Sequence, residues 1–392
     1  MKKWQVMILA VSLMLGSASF ADTFVNYQTK ELMHGYVTMQ MEDDKTVVHT
    51  LEKGEIKLNL AAWQITADRE GRNNKVIILT IDSRIMLEIE TEALVKAIAK
   101  AIDKGPLFIL VEVDTPGGRV DLTKRICGAI TQTLNCQVVA FIKGGKYGGA
   151  ISAGAAVAFA CDKIYMANNT VIGAAAPLAL SEGSPKDVKE TFGEDIGEKI
   201  SSAWRAYLSS LAEQNNRPAL LAGAMVDKEL EVIEVSEAEK RLFIDPAEKT
   251  PQQHLVQTWS KKGSLLTLTA EQAAECAIAD KVVNSRGELL RHLNAGDAEI
   301  VIDDSFQKAK KLFRKAELRF DKLTKSLDLR IKQIKQTRVR TRALKMLRDI
   351  RKDYKALMLL AKHYPDLQID VEFLQRQLNS AEAMYKEMKM TR

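Results

Sequence analysis

The strongest constraint on the fold is a train of short apolar, β-branched runs, each followed by a helical pattern. Residues 76–81 read Val-Ile-Ile-Leu-Thr-Ile, a run without the polar alternation of a half-exposed strand, so it predicts a strand buried on both faces. Residues 87–104 follow as an amphipathic helix, with Ile89, Leu94, Ile98 and Ile102 on one face. The same alternation gives a strand at 107–113, a helix at 120–134, a strand at 138–142, an Ala-rich helix at 149–161 and a strand at 164–167. Strands alternating with helices imply βαβ units, a parallel sheet and right-handed crossovers. The fold class expected is α/β.

Beyond this core, residues 177–193 are polar and Gly-bearing and predict a loop. Residues 199–214 predict an amphipathic helix with Ile200, Trp204, Leu208 and Leu211 inward. Residues 231–235 and 242–244 predict a pair of strands. A further helix opens at Thr269, with Gln272 three residues later as its capping-box partner, and residues 278–283 close the fold. The C-terminal part differs in kind. Phe306, Ala309, Phe313, Ala316, Phe320, Leu323, Leu327, Ile331 and Ile334 recur at spacings of three and four, and Leu347, Ile350, Tyr354, Leu357 and Ala361 resume the pattern. That is an a/d seam, predicting long helices packed as a hairpin or coiled coil.

Charge divides the chain at the same place. Residues 301–392 hold 24 Lys and Arg against 12 Asp and Glu, whereas the remainder holds 33 against 39. An acidic body with a basic tail places a boundary near residue 300. At the other end, Met1-Lys2-Lys3, an apolar run over residues 4–15 and Ser19-Phe20-Ala21 make a signal peptide over residues 1–21, cleaved before Asp22. The expected divisions are therefore 1–21, a lead segment 22–75, a body 76–300 and a basic helical tail 301–392. The mature chain is expected in the periplasm or outside the cell, with contact to the membrane surface only at its periphery. Residues 148–180, the most apolar stretch, contain Asp162, Lys163, Asn168 and Asn169, which are costly in lipid.

Export sets further expectations. Cys127, Cys136, Cys161 and Cys276 show no zinc-like spacing, and no metal or cofactor is expected. Disulfides are permitted outside the cytoplasm, and Cys136 and Cys161 each precede a parallel strand; four buried thiols are the plainer expectation. No nucleic-acid partner is expected outside the cytoplasm. The basic tail is simplest as a solvated oligomerisation module, and anionic envelope components are the partner class its charge would suit.

Two motifs carry chemistry together. Asp114-Thr115-Pro116-Gly117-Gly118 ends a buried strand, and paired glycines there free backbone N–H groups to bind an oxyanion. Gly148-Gly149-Ala150-Ile151-Ser152-Ala153-Gly154 puts a serine at the start of a small-residue helix, where helix N–H dipoles favour developing negative charge. Taken singly, the first is ordinary turn chemistry and the second a packing serine. Histidine is the usual base for a serine nucleophile, but His34, His49, His254, His292 and His363 leave residues 50–253 without one. His254 lies in a polar segment outside the βαβ layers. A lysine base must give up its proton, which burial promotes. Lys199 follows a Gly-bearing segment and opens a helix with an apolar face; taken alone, it reads as a surface lysine before it reads as a base.

The ordered set of Asp114-Thr115-Pro116-Gly117-Gly118, Ser152 in Ala-Ile-Ser-Ala-Gly-Ala, and Ile172-Gly173-Ala174 resembles the Clp-class membrane serine proteases. More narrowly it resembles the nodulation-efficiency-D (NfeD-type) peptidases, relatives of signal peptide peptidase A. Residues 265–273 with Ile278-Ala279-Asp280 resemble that family's closing helix and strand. The resemblance covers roughly residues 75–285. It implies a Clp protease/crotonase-like parallel β-sheet superhelix with, in this chain, a helical coiled-coil-like extension. It also implies a Ser–Lys dyad of Ser152 and Lys199, an oxyanion hole from the N–H groups of Gly118 and Ala153 with Gly117 shaping the turn, a polypeptide substrate and a homo-oligomer. Typical long NfeD-type proteins continue into transmembrane helices and a small β-barrel; here a basic helical tail follows the body. Two alternatives stand beside the peptidase: an inactive scaffold working through its tail, and a crotonase-like acyl-CoA enzyme, against which export and the lack of a purposeful acid/base carboxylate pair both speak.

Overall fold

In the computed structural model the described residues are 22–390, apart from 41–45, 51, 67–72, 134–135, 182–183 and 239. The signal-peptide expectation for residues 1–21 lies outside them. The chain opens with an antiparallel sheet of β1 (Asp22–Asn26), β2 (Leu32–Gln40), β3 (Thr46–Thr50), β4 (Gly54–Leu58) and β5 (Trp63–Thr66), in the order β4-β3-β2-β1-β5. It closes over a small apolar cluster of Phe24, Met33, Val48 and Trp63. The lead segment thus has a sheet that no apolar run announced, because polar residues interrupt its strands.

The body then builds the expected parallel sheet. β6 (Asn73–Ile81) leads through α1 (Glu88–Asp103) to β7 (Pro106–Val113), then α2 (Val120–Thr131) and β8 (Gln137–Ile142). Every residue of β7 is buried, which is why that run shows no polar alternation. Next come β9 (Gly149–Ile151), α3 (Ala153–Ala160), β10 (Lys163–Met166) and β11 (Val171–Gly173). Residues 149–151 were expected as helix but pair with Val171, Ile172 and Gly173; small-residue composition suits a helix, and a distant partner decides otherwise.

Residues 177–193 are not a plain loop. They hold the hairpin β12 (Leu178–Ser181) and β13 (Ser184–Asp187), then α4 (Val188–Phe192), and α5 (Glu194–Gln214) starts five residues before the expected position. After α6 (Ala219–Ala224), β14 (Val232–Glu237), β15 (Lys240–Ile244) and β16 (His254–Ser260) form an antiparallel sheet, order β15-β14-β16. β17 (Thr267–Thr269) joins β11 and β9 in a three-stranded sheet, and the capping box of Thr269 and Gln272 opens α7 (Ala270–Glu275) as expected. β18 (Lys281–Val282), α8 (Arg286–His292) and β19 (Glu299–Asp303) complete the body. The main sheet runs β18-β10-β8-β7-β6-β19, and every pairing in it is parallel.

The tail is three helices, not a hairpin: α9 (Ser305–Gln336), α10 (Arg340–His363) and α11 (Val371–Met390). The periodic seam of α9 serves two surfaces. Phe306, Ala309, Phe313 and Ala316 are buried in its first half, where α9 packs on α1 and Phe306 joins the main core. Farther along, Leu327 joins Ile350, Tyr354, Leu357, Leu374, Leu378 and Ala381 in a separate cluster shared by all three helices. Among the described residues no helix is long and apolar enough to cross a membrane.

Candidate active site

Two isolated parallel bridges extend the sheet order past the strand ends: Ile85 with Gly118, and Thr115 with Ala150. They lay the chain after β6, the chain after β7 and β9 side by side. Thr115 N–H donates to the Gly149 carbonyl at 2.9 Å, and Ile151 N–H donates to the Thr115 carbonyl at 3.0 Å. Thr115 Oγ1 donates to the Ser83 carbonyl at 2.8 Å and accepts from Gly117 N–H at 3.2 Å. Asp114 is buried and accepts the N–H groups of Tyr147 and Gly149, each at 3.2 Å. The Gly-rich loop before the serine is therefore pinned to the turn that carries Gly117 and Gly118.

Ser152 sits at the junction of β9 and α3 with φ 56° and ψ −116°, outside the conformations that L-residues adopt freely. Such a position costs on the order of 1–3 kcal/mol and persists where surrounding structure over-determines it. Here the restraints are visible. Ser152 N–H donates to the Gly173 carbonyl at 2.9 Å, and its carbonyl accepts from Ala155 N–H at 3.0 Å. All eight residues of α3 are buried. The side chain remains half-buried at the helix start.

Around Ser152 the two glycines have separate reasons to be glycine. Gly117 has φ +117°, and a Cβ there would lie 2.7 Å from Ser152 Cβ and 3.0 Å from its Oγ. At Gly118 a Cβ would lie 2.2 Å from the Ile85 carbonyl oxygen. Among the described residues, neither Gly118 N–H nor Ala153 N–H donates to a protein acceptor. Ser152, Gly117, Gly118 and Ala153 are thus brought together, with two unspent donors beside a strained hydroxyl-bearing residue.

Lys199 is not part of that cluster. It lies exposed on α5, and among the described residues no hydrogen bond or ion pair joins it to Ser152. The helix docks through Trp204, whose Nε1 donates to the Ala175 carbonyl at 2.8 Å, two residues past the carbonyl that holds Ser152 N–H. Lys199 is five residues from Trp204, about 140° around the helix at 3.6 residues per turn, which puts it off the buried face. Ile200, expected inward, is likewise 37% exposed. Lys189 fares no better as a base: its Nζ meets Glu198 at 2.8 Å and Glu194 at 2.9 Å, and these hydrogen bonds hold the ammonium well above the ordinary lysine range.

Four of the histidines stand apart. His34 pairs with Glu52 in the N-terminal sheet, His254 is exposed on β16, His292 packs against Tyr165, and His363 Nδ1 meets the Leu359 carbonyl oxygen. Among the described residues no His, Cys, Asp and Glu group could hold a metal ion. All four cysteines are buried, and Cys127, Cys161 and Cys276 are free thiols. Below the site, Glu112 is 1% exposed and held by Lys143 at 2.7 Å and Arg286 at 2.6 Å. Burial opposes its charge, but these two hydrogen bonds outweigh burial and keep the carboxyl below its usual range. Neither the Gly173 carbonyl nor the Trp204 anchor was identified from sequence as part of the site, because each acts across a pairing between separate elements.

Residues 75–253 match the family model of the NfeD1b N-terminal domain. Among curated proteins, the membrane protein NfeD1b of Bacillus subtilis is 26% identical over 247 residues, covering 63% of this chain and 47% of that protein. The membrane-bound protease PH1510 of Pyrococcus horikoshii is 33% identical over 122 residues, covering 31% of this chain and 26% of that protein. The chain thus spans less than half the length of either relative. Solved structures similar to it include a mutant of the 1510-N membrane-bound stomatin-specific protease, at TM-score 0.44 and 23% identity over 59% of this chain and 98% of that one. A second mutant of the same protease, in complex with a substrate peptide, matches at TM-score 0.43 and 22% identity over 59% of this chain and 92% of that one.

Proposed function

We propose that this chain, related through residues 75–253 to the NfeD-type membrane proteins, is a serine endopeptidase acting on polypeptides. The observation that carries the reading is the backbone at Ser152: a non-glycine residue held at φ 56° beside two unpaired N–H donors. Ser152 Oγ attacks the peptide carbonyl, and the N–H groups of Gly118 and Ala153 receive the oxyanion. Such donors supply most when already fixed before the reaction. The amine leaves with a proton, and water then hydrolyses the acyl-enzyme.

Lys199 is the base in this reading. A lysine base must be neutral at the moment of attack, and loss of solvent is what weakens its hold on a proton. With Lys199 exposed, that desolvation has to come from the substrate, or a second copy of the chain, seated over α5. Export behind a cleaved signal peptide, attachment at the membrane periphery and self-association belong to the same proposal.

A second reading, an inactive scaffold working through the tail, is favoured by one observation: among the described residues no hydrogen bond or ion pair joins Lys199 to Ser152. Fluorophosphonate labelling of the purified chain separates the two. The peptidase reading expects labelling that is lost in Ser152→Ala and kept in Ser209→Ala, because Ser209 Oγ is spent on the Ala219 carbonyl at 2.9 Å. An unlabelled wild-type protein that cleaves no peptide would leave the scaffold.

A further inference from the structure

The tail reaches back to the catalytic turn through one carboxylate. The N-cap of α1 is Leu87, which has no capping side chain, so the first N–H groups of α1 need an acceptor from elsewhere. It comes from 278 residues away. Asp366, in the short link between α10 and α11, accepts the Glu88 N–H at 2.8 Å, and its side chain is only 6% exposed. Its other oxygen faces Arg119 Nη1 at 3.5 Å.

Arg119 is the residue after Gly118. Its N–H donates to the Ile85 carbonyl at 2.8 Å, and Ile85 N–H donates to the Gly117 carbonyl at 3.0 Å. Residues 85–88 are therefore clamped on two sides, by the glycine turn and by Asp366. The same segment rests on the tail: Met86, Leu87 and Glu90 line a cavity of about 380 Å³ with Phe313 and Lys310 of α9. Phe313 in turn lies 6.3 Å from Tyr364, two residues before Asp366. Asp121 at 2.6 Å and Glu88 at 3.5 Å also hold the Arg119 guanidinium, so Asp366 completes a set of three carboxylates around it.

We propose that Asp366 is a positioning residue for the peptidase site: by capping α1 and pairing with Arg119, it makes the seated tail a condition for the oxyanion turn to hold its shape. The inference rests on Ser152 as the nucleophile. A tail displaced by a partner would loosen residues 85–88 and lower the reactivity of Ser152 without touching it.

The test uses the full chain and two readouts, the rate of fluorophosphonate labelling and amide exchange at Glu88, Ile85 and Arg119. Asp366→Ala should slow labelling about tenfold and speed exchange at all three amides. In an Arg119→Ala background Asp366→Asn should slow labelling less than twofold further, since that variant keeps the acceptor for Glu88 and drops only the charge facing Arg119; losses that multiply would overturn the part of the inference that runs through Arg119. Should the alanine variant fail to fold, Asp366→Asn keeps an acceptor for Glu88 and drops the charge facing Arg119. It should preserve protection at Glu88 while exchange at Arg119 rises and labelling slows. Labelling and exchange at wild-type rates in the variant that folds would overturn the inference. If wild-type protein is not labelled, the peptidase reading fails by itself, and exchange at Ile85 and Arg119 still decides whether Asp366 holds the turn.

Discussion

Gly117 lies so close to Ser152 that a methyl group added to it would stand 2.7 Å from Ser152 Cβ and 3.0 Å from its Oγ. Its φ of +117° adds a second penalty for any side chain. Gly117→Ala must therefore move either the serine or the turn that presents Gly118 N–H. We expect fluorophosphonate labelling to fall at least a hundredfold, with stability lower by roughly 1–3 kcal/mol from the strained backbone. Labelling kinetics and urea unfolding on the same variant read both. Near-wild-type labelling would mean that this contact does not shape the nucleophile.

The parts legible in advance were those whose signal is local. Residues 76–81, 107–113 and 138–142 announced strands because burial on both faces leaves no polar alternation to confuse. The neighbourhood of Gly117 and Ser152 was legible as well, since a glycine turn ends one buried strand and a small-residue helix start follows one βα unit later. What escaped depends on partners far along the chain. Gly149, Ala150 and Ile151 are strand only because Val171, Ile172 and Gly173 lie beside them. The exposure of Lys199 follows from the docking of Trp204 on Ala175, which fixes the rotation of α5. A carboxylate at position 366 gives no hint that it caps a helix beginning at Glu88.

Glu90 supplies a pH signature. It is 2% exposed on α1, and burial pushes its carboxyl up to about 7, with Lys310 opposing and Asp82 and Asp366 adding to the rise. A folded-state value above the unfolded 4.5 means the native chain holds a proton that the unfolded chain has released. Stability is then full below about pH 4.5 and lost as pH climbs through about 7. Glu90→Gln should match wild type near pH 4.5 and exceed it by about 3 kcal/mol at pH 8, read by urea midpoints at the two values. The same difference at both would mean that the carboxyl does not titrate in the fold.

The cysteines should be silent in the native protein. All four are buried, and burial pushes the thiols of Cys127 and Cys276 up to about 12. Since the thiolate is the reactive form, a chromogenic disulfide reagent at pH 8 should find no thiol in folded protein and four after denaturation. Fewer than four in the unreduced, denatured chain would reveal a disulfide.

Lys199 gives the sharpest separation between catalysis and structure. Its exposed side chain makes no packing contribution to lose, so Lys199→Ala should shift stability by no more than about 0.5 kcal/mol. If it is the base, the same change should cut peptide cleavage by about 10²–10⁴. Lys199→Arg should not restore activity, because a guanidinium stays charged and cannot accept the serine proton. A charge that merely attracted substrate would be rescued by arginine, with KM rather than kcat carrying the loss in the alanine variant. Cleavage by Lys199→Ala at the wild-type rate would remove the lysine from the mechanism while leaving Ser152 and its two donors in place.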